Sequence, residues 1–262
     1  MAELPIVFDD GASYERMMGV WSRLAGEVFL DWLKPATNLS WVDVGCGNGA
    51  FTELLIERVA PAEVHGIDPS AAQIAYAKDR PGAKMAAFQT GDAMDLPFDD
   101  NSFDAAVMAL VIFFVPEPPK GVAEMLRVVR PGGSISAYAW DFTIGGFPLD
   151  PIQAEMRAIG LNPPRAPRFE VAALEPLKQL WIDAGLEQVE NRAITVQRTF
   201  DDFDDLWTTF LLGPSIGAMI KPLPPADVER IRMGLRQRLP PDAQGRITCS
   251  GTASAVKGRK PA

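Results

Sequence analysis

The sequence predicts an α/β fold, a largely parallel sheet covered by helices on both faces and completed by two late strands. Three observations carry that expectation. Short apolar runs alternate with helix-length amphipathic stretches through the first 140 residues, and crossovers of helical length join parallel strands. A glycine-rich turn, Gly45-Cys46-Gly47-Asn48-Gly49, stands between the first strand and the helix after it. Aspartates recur at successive strand ends, with Asp68 placed 25 residues after Asp43 and Asp92 a further 24 on.

Residues 14–33 set Met17, Val20, Trp21, Leu24, Val28, Trp32 and Leu33 at helical spacing, and so read as one amphipathic helix. A short strand is expected over 40–44, a helix over 50–59 and a strand over 63–68. A helix opening at Ser70 follows, then strands over 83–89 and 103–110, a helix over 118–129 and a strand over 133–140. Beyond Trp140 the texture changes. Gly145-Gly146, Pro148, Pro151, Pro163-Pro164 and Pro167 make 141–170 an irregular excursion with one short helix near 152–159. A helix near 172–184 stops at Gly185, a glycine placed for a left-handed cap. A strand over 187–198, helices near 202–212 and 226–238, and a last strand over 246–256 complete the chain.

Composition narrows the function classes. The 262 residues are 47% hydrophobic and 23% charged, with a net charge of −9. Residues 1–150 carry 10 basic and 21 acidic side chains, the remainder 15 and 13. An acidic first half argues against a nucleic-acid or anionic-lipid footprint, and the basic Lys257-Gly258-Arg259-Lys260 reads as a frayed, solvated tail. No apolar run is long enough to span a bilayer. The opening Met-Ala-Glu-Leu-Pro lacks the basic and apolar regions of a secretory signal, so a cytoplasmic location is expected. Two cysteines and a single histidine, His65, make no disulfide framework or His-rich metal site.

The glycine turn is ambiguous by itself. Backbone N–H groups there can approach a ligand closely because glycine has no Cβ, but Gly45, Gly47 and Ala50 also satisfy the dinucleotide fingerprint. Asp68, ending the second strand, can accept hydrogen bonds from both hydroxyls of a ribose. Asp92 decides between the ligands. A nicotinamide enzyme has no standard use for an acid there, whereas an adenosyl group lying across the strand ends can donate its amino group to it.

With these residues the chain resembles the class I S-adenosylmethionine-dependent methyltransferases, specifically the type 11 group that includes quinone-biosynthesis C-methyltransferases. The matching pieces are Val42–Thr52 (VDVGCGNGAFT), Gly66–Ser70 (GIDPS), Gly91–Val107 (GDAMDLPFDDNSFDAAV) and Leu126–Ser134 (LRVVRPGGS), in family order across roughly 40–140. The resemblance implies a Rossmann-like seven-stranded sheet in the order 3-2-1-4-5-7-6 with strand seven antiparallel. It divides the chain into an N-terminal helical flap (1–39), a cofactor-binding core (40–140), and a segment (141–262) holding lid elements and the last two strands of the same sheet. The implied cofactor is S-adenosyl-L-methionine, leaving as S-adenosyl-L-homocysteine, and the implied partner is a small-molecule methyl acceptor.

The resemblance also implies roles. Gly45 and Gly47 cradle the methionine end, and Asp43 positions that loop and the ammonium group. Asp68 binds the ribose, Pro69 packs on the adenine, and Asp92 with the Ala93 backbone reads the adenine edge beside Met94. Leu110, ending the fourth strand, lines the sulfonium. Tyr14, Trp21 and Arg23, on a segment resembling the family's N-terminal flap, are candidates to close over the cofactor, and Arg130–Gly133 looks like a structural turn before the fifth strand.

One departure matters. Many relatives carry one or two histidines after the fourth strand, whereas this chain has Val111-Ile112-Phe113-Phe114-Val115. No general base is identifiable, and Tyr14, Tyr138 and Asp141 read as structural first. A displacement from an activated sulfonium needs alignment and a dry cavity more than a strong base. Cys46 reads as a small buried loop residue, the acids of Phe200–Asp205 as helix caps, and Trp207, Phe210, Leu211 and Met219 as core. The acceptor pocket is expected to be apolar, walled by Phe113, Phe114, Trp140, Phe142 and Phe147 and roofed by 141–170 with the helices of 202–238. An aromatic or apolar metabolite is the expected acceptor. A nicotinamide-dependent oxidoreductase, or a cofactor-binding homologue without catalysis, are the competing readings.

Overall fold

The computed structural model describes residues 15–262. Seven strands form one sheet: β1 (Ser40–Val44), β2 (Glu63–Asp68), β3 (Ala87–Thr90), β4 (Phe103–Ala109), β5 (Val129–Trp140), β6 (Glu187–Phe200) and β7 (Ile247–Arg259). Their order is β3-β2-β1-β4-β5-β7-β6. The first five are parallel, and β7 runs antiparallel to both β5 and β6. This is the expected topology, with β7 as the antiparallel strand.

Nine α-helices cover the sheet among the described residues: α1 (Val20–Leu33), α2 (Ala50–Val59), α3 (Ala71–Asp79), α4 (Pro118–Val128), α5 (Asp150–Ala158), α6 (Leu174–Asp183), α7 (Phe203–Leu211), α8 (Pro214–Ile220) and α9 (Pro225–Arg238). A π-helical turn, Glu15–Gly19, leads into α1. Helix α1 buries Trp21, Ala25 and Phe29, a stripe spaced by four. The strand pleat shows that both faces are covered. Lys257 of β7 lies over the Trp32 ring of α1, while a Cβ on neighbouring Gly258 would touch Trp181 of α6, and successive residues of a strand point to opposite faces. Trp181 also donates its Nε1 hydrogen to the Ile135 carbonyl at 3.0 Å, fastening α6 to β5.

Local chemistry sets several boundaries. The Ser70 hydroxyl accepts from the Gln73 N–H and starts α3. Pro118 and Pro119 open α4 at positions whose N–H groups have no helical partner anyway. Gly185 takes φ +82°, the left-handed conformation expected just beyond α6.

Four expectations are corrected. The third strand begins at Ala87, not 83, because Pro81–Ala83 forms a 3-10 turn with the Ala83 N–H donated back to Arg80. The fifth strand begins at Val129, since the Arg130–Gly133 stretch is taken into the sheet through a register shift against Phe103 and Ala105 instead of forming a separate turn. The basic tail is not frayed. Lys257 to Arg259 pair with β5, and the Lys260 ammonium donates to the Asn101 side chain and the Val129 carbonyl, both at 2.8 Å. Helix α8 was not expected. Its Gly217 permits the turn because an added Cβ would run into the Leu211 carbonyl.

Candidate functional site

The carboxyl ends of β1, β2 and β4 open into a cavity of about 450 Å³. This is where open α/β sheets leave room for a ligand. Its floor is the turn after β1. The Gly45 and Cys46 N–H groups donate to the Ile67 carbonyl at 2.7 and 2.9 Å, pinning the turn to β2. Gly45 has φ +77°, and a Cβ there would collide with the Val111 methyls. Gly47 has φ +52° with open space where a Cβ would stand. The first glycine therefore permits packing, and the second leaves the cavity surface bare.

Asp68 ends β2 at the cavity wall. Its two oxygens accept from the Gly47 N–H at 3.0 Å and the Ser70 N–H at 2.9 Å. A carboxylate has about four lone-pair sites, so acceptor capacity remains for two ligand hydroxyls. Burial raises its pKa, against those two backbone hydrogen bonds. Asp43 lies wholly buried beneath the turn, with one oxygen held by the Thr52 hydroxyl at 2.6 Å and the other unpartnered. Burial pushes its carboxyl up to about 7 in spite of the Thr52 bond, and the charge of Asp68 adds to the effect.

Asp92 and Ala93 line the cavity, and an Asp92 oxygen accepts from the Met94 N–H at 2.8 Å, shaping that loop. Leu110 takes φ +63°, a strained conformation for a residue with a branched side chain, and its N–H donates to the Tyr138 carbonyl at 2.8 Å.

Of the residues named from the sequence, the cavity brings together Gly45, Gly47, Asp68, Pro69, Asp92, Ala93 and Leu110. Asp43 does not line the cavity, and its hydrogen bond goes to Thr52 of α2, while Met94 contributes through its backbone. Arg23 is not brought to the cavity. Its guanidinium pairs with Glu57 at 2.8 Å and Glu27 at 3.2 Å on the helix surface. The neighbouring Ser22 faces the site instead, and Trp21 is fully buried in the core. Tyr14 lies outside the described residues.

The sequence reading missed Asn48 as a brace of the site. Its side-chain N–H donates to Glu15 at 3.0 Å, Arg80 pairs with Glu15 and Glu53, and Glu53 accepts from the Gly82 N–H. The π-helical turn is thereby tied to the glycine turn. Arg80 lowers the Glu15 pKa against its burial. No local signal in the sequence links partners 65 residues apart.

A second cavity, of about 100 Å³, adjoins the first, and Leu110 and Phe114 line both. Its wall holds all five expected aromatics, with Phe113 and Phe142 edge-to-face at 5.2 Å and Phe142 and Phe147 at 4.9 Å. The roof is corrected in part. From 202–238 only the α8 end contributes, through Gly213, Ser215 and Ile216. Helix α9 packs instead on α5, where Arg238 pairs with Glu155 at 2.8 Å.

The remaining candidates have structural roles. His65 packs edge-on to Phe98 and Phe103. Burial pushes the Cys46 thiol pKa well up, as suits an inert loop residue. Asp202 caps α7 by accepting from the Asp205 N–H, and Asp141 accepts from the Thr143 N–H and hydroxyl. No cluster of metal-ligating side chains occurs among the described residues, and none of their helices is long and apolar enough to cross a membrane.

The chain is similar in sequence and in fold to known methyltransferases. Residues 42–137 match the family described as methyltransferase domain. The 2-methyl-6-phytyl-1,4-hydroquinone methyltransferase 2, chloroplastic, of Oryza sativa subsp. japonica is 39% identical over 107 residues, covering 39% of this chain and 31% of that protein. The ubiquinone/menaquinone biosynthesis C-methyltransferase of Roseobacter denitrificans is 34% identical over 138 residues, covering 49% of this chain and 55% of that one. The matched stretch thus spans from just under a third to just over half of these relatives. Among solved structures, the YcgJ protein of Bacillus subtilis superposes with a TM-score of 0.61 at 16% identity, covering 91% of this chain and 98% of that one. The sequence match falls on the parallel half of the sheet and the fold match extends over the whole of it, so residues 42–137 form a methyltransferase domain of the class I, S-adenosylmethionine-dependent type.

Proposed function

We propose that this protein transfers a methyl group from S-adenosylmethionine to a small, uncharged, apolar or aromatic acceptor held in the second cavity. The observation that carries the reading is the meeting of the two cavities at Leu110 and Phe114. A cofactor seated on Asp68 and the glycine turn has its neighbouring space walled by five aromatic rings. When bound, the cofactor supplies a methyl group activated by its sulfonium.

The chain's own residues supply position and dryness. Asp68 offers its remaining lone pairs to the ribose hydroxyls, and the bare Gly47 surface admits the amino-acid end. Asp92 receives the adenine edge. The strained Leu110 holds its side chain between the two ligands. Phe113, Phe142 and Phe147 remove apolar acceptor surface from water, worth about 25 cal/mol per Å², and exclude water from the displacement. One relative's name gives a hydroquinone and the other's gives ubiquinone/menaquinone biosynthesis, and ring compounds of that kind suit such a wall.

Calorimetry with S-adenosylhomocysteine and NAD in parallel tests the cofactor, and turnover against a panel of small phenols and quinols tests the reaction. Binding of S-adenosylhomocysteine alone, with methylation of at least one panel member, is expected. Binding of NAD in its place contradicts the reading, and cofactor binding with no turnover on any acceptor moves the protein to a non-catalytic role.

A further inference from the structure

The second cavity holds one feature that its apolar character does not require. Gln153, on the inner side of α5, lines it and is only 8% exposed. Its amide makes no hydrogen bond to any described residue. Around it the lining is Met, Leu, Phe, Trp, Pro, Ala, Ile, Gly and one Ser, with no ionisable side chain among the described residues. The wall contains a second unpartnered polar group, the buried Trp140 indole N–H.

The Gln153 amide is not among the sealed-off polar atoms of the fold, so its polar end stays open to the cavity, where a ligand can reach it. Leucine or methionine would fill the same space on α5 but offer a ligand no hydrogen bond. An amide also offers what the rest of the wall lacks: an oxygen that accepts and an N–H₂ that donates. We propose that Gln153 is a specificity-determining residue for the acceptor, pairing its amide with a hydroxyl or carbonyl oxygen on an otherwise apolar, uncharged molecule. This inference rests on the reading of the second cavity as the acceptor site. It adds that the acceptor is oxygenated and that this residue selects for the oxygen. The absence of any ionisable group in the wall selects against charged acceptors, which would enter without a counter-charge.

The test uses the whole chain saturated with S-adenosylhomocysteine and two probes of nearly equal shape, p-cresol and toluene. The wild-type protein is expected to bind p-cresol about tenfold more tightly, the size of one well-made hydrogen bond to a group otherwise left unpaired. Gln153→Met should bring that ratio close to one while toluene affinity and S-adenosylhomocysteine affinity stay unchanged. Equal affinities in the wild type, or an unchanged preference in Gln153→Met, overturns the role of Gln153. The cavity reading survives either result provided that Phe142→Ala with Phe147→Ala still abolishes toluene binding. If neither probe binds the wild-type protein, the acceptor-cavity reading fails and this inference with it. Should Gln153→Met not fold, Gln153→Leu gives the same comparison, and a preference kept in that variant would assign the hydrogen bond to Trp140 or Ser215 and overturn the role of Gln153.

Discussion

Asp43 is the residue at which burial and charge conflict most openly. Its carboxyl titrates near 3.8 when solvated and at about 7 in the fold, chiefly through burial. A folded-state value above the unfolded one means that folding favours the protonated acid. Its contribution is complete below the unfolded value and is lost as pH rises through about 7. Asp43→Asn removes that dependence. The variant's stability relative to the wild type should therefore rise by about 4 kcal/mol between pH 4 and pH 8. Urea denaturation across that range checks it, and a pH-independent offset contradicts it. The place of Asp68 on the cavity wall was legible from the sequence, but its grip on the Gly47 N–H was not, because that contact exists only once two strands pair. Asp68→Ala should weaken S-adenosylhomocysteine binding by about 1.5–3 kcal/mol, and part of that loss is loosening of the turn. Calorimetry on the folded variant decides it. The two glycines separate by what surrounds them. Gly45→Ala meets the Val111 methyls as well as a left-handed backbone, whereas Gly47→Ala meets the backbone penalty alone. Thermal denaturation should show Gly47→Ala losing about 1–2 kcal/mol and Gly45→Ala about 1–3 kcal/mol more. Arg23 shows the limit of reading a helix without its neighbours: Glu57, 34 residues away, holds its guanidinium on the surface.

At the scale of elements, strand–helix alternation gave the first three elements of the core with their observed bounds, 40–44, 50–59 and 63–68. Those segments have strong periodicity and glycine or polar punctuation at their ends. The misplaced boundaries occur where apolar pattern and backbone geometry disagree. Ala83 is buried like a strand residue but sits in a 3-10 turn. Pro214 and Gly217 disguised α8 because both are poor formers of helix interiors. The end of β7 escaped because Lys257-Gly258-Arg259-Lys260 has the composition of a solvated tail, and only pairing with β5 orders it. Lys260→Ala should cost about 0.5–2 kcal/mol of stability by removing the bonds to Asn101 and Val129, measured by denaturant titration. An unchanged midpoint would return the tail to solvent. The aromatic wall gives a second prediction at this scale. Replacing Phe142 and Phe147 by alanine should abolish binding of apolar ligands, leave S-adenosylhomocysteine affinity intact, and lower stability only modestly, since both rings are half-buried. Loss of stability without loss of ligand binding would make the rings simple core.

The whole molecule joins five parallel strands to two later ones that close the same sheet. Residues 42–137 carry the family match and the first cavity's glycine turn and acids. Residues from 140 onward supply most of the second cavity and, through β6 and β7, the far edge of the sheet. This division explains the uneven legibility of the site. The residues proposed to hold the cofactor lie in short motifs fixed by strand ends, where spacing alone predicts proximity. The aromatic wall of the second cavity is assembled from β5, the 3-10 turn Phe142–Ile144, α5 and the start of α8, and its convergence depends on packing between distant segments. The five aromatics were foreseeable from their clustering after strands four and five, but Gln153 was not. Nothing in the sequence distinguishes it from a solvated helix residue until the buried face of α5 is known.

The central claim is that one ligand bridges Asp68 and Leu110 so that its reactive end faces the second cavity. A crystal structure of the protein with S-adenosylhomocysteine tests this directly. The ribose hydroxyls are expected on the Asp68 carboxylate, the adenine amino group towards Asp92, and the sulfur beside Leu110 directed at the cavity walled by Phe113, Phe142 and Phe147. A ligand whose ribose sits elsewhere, or whose sulfur points away from that cavity, would contradict it.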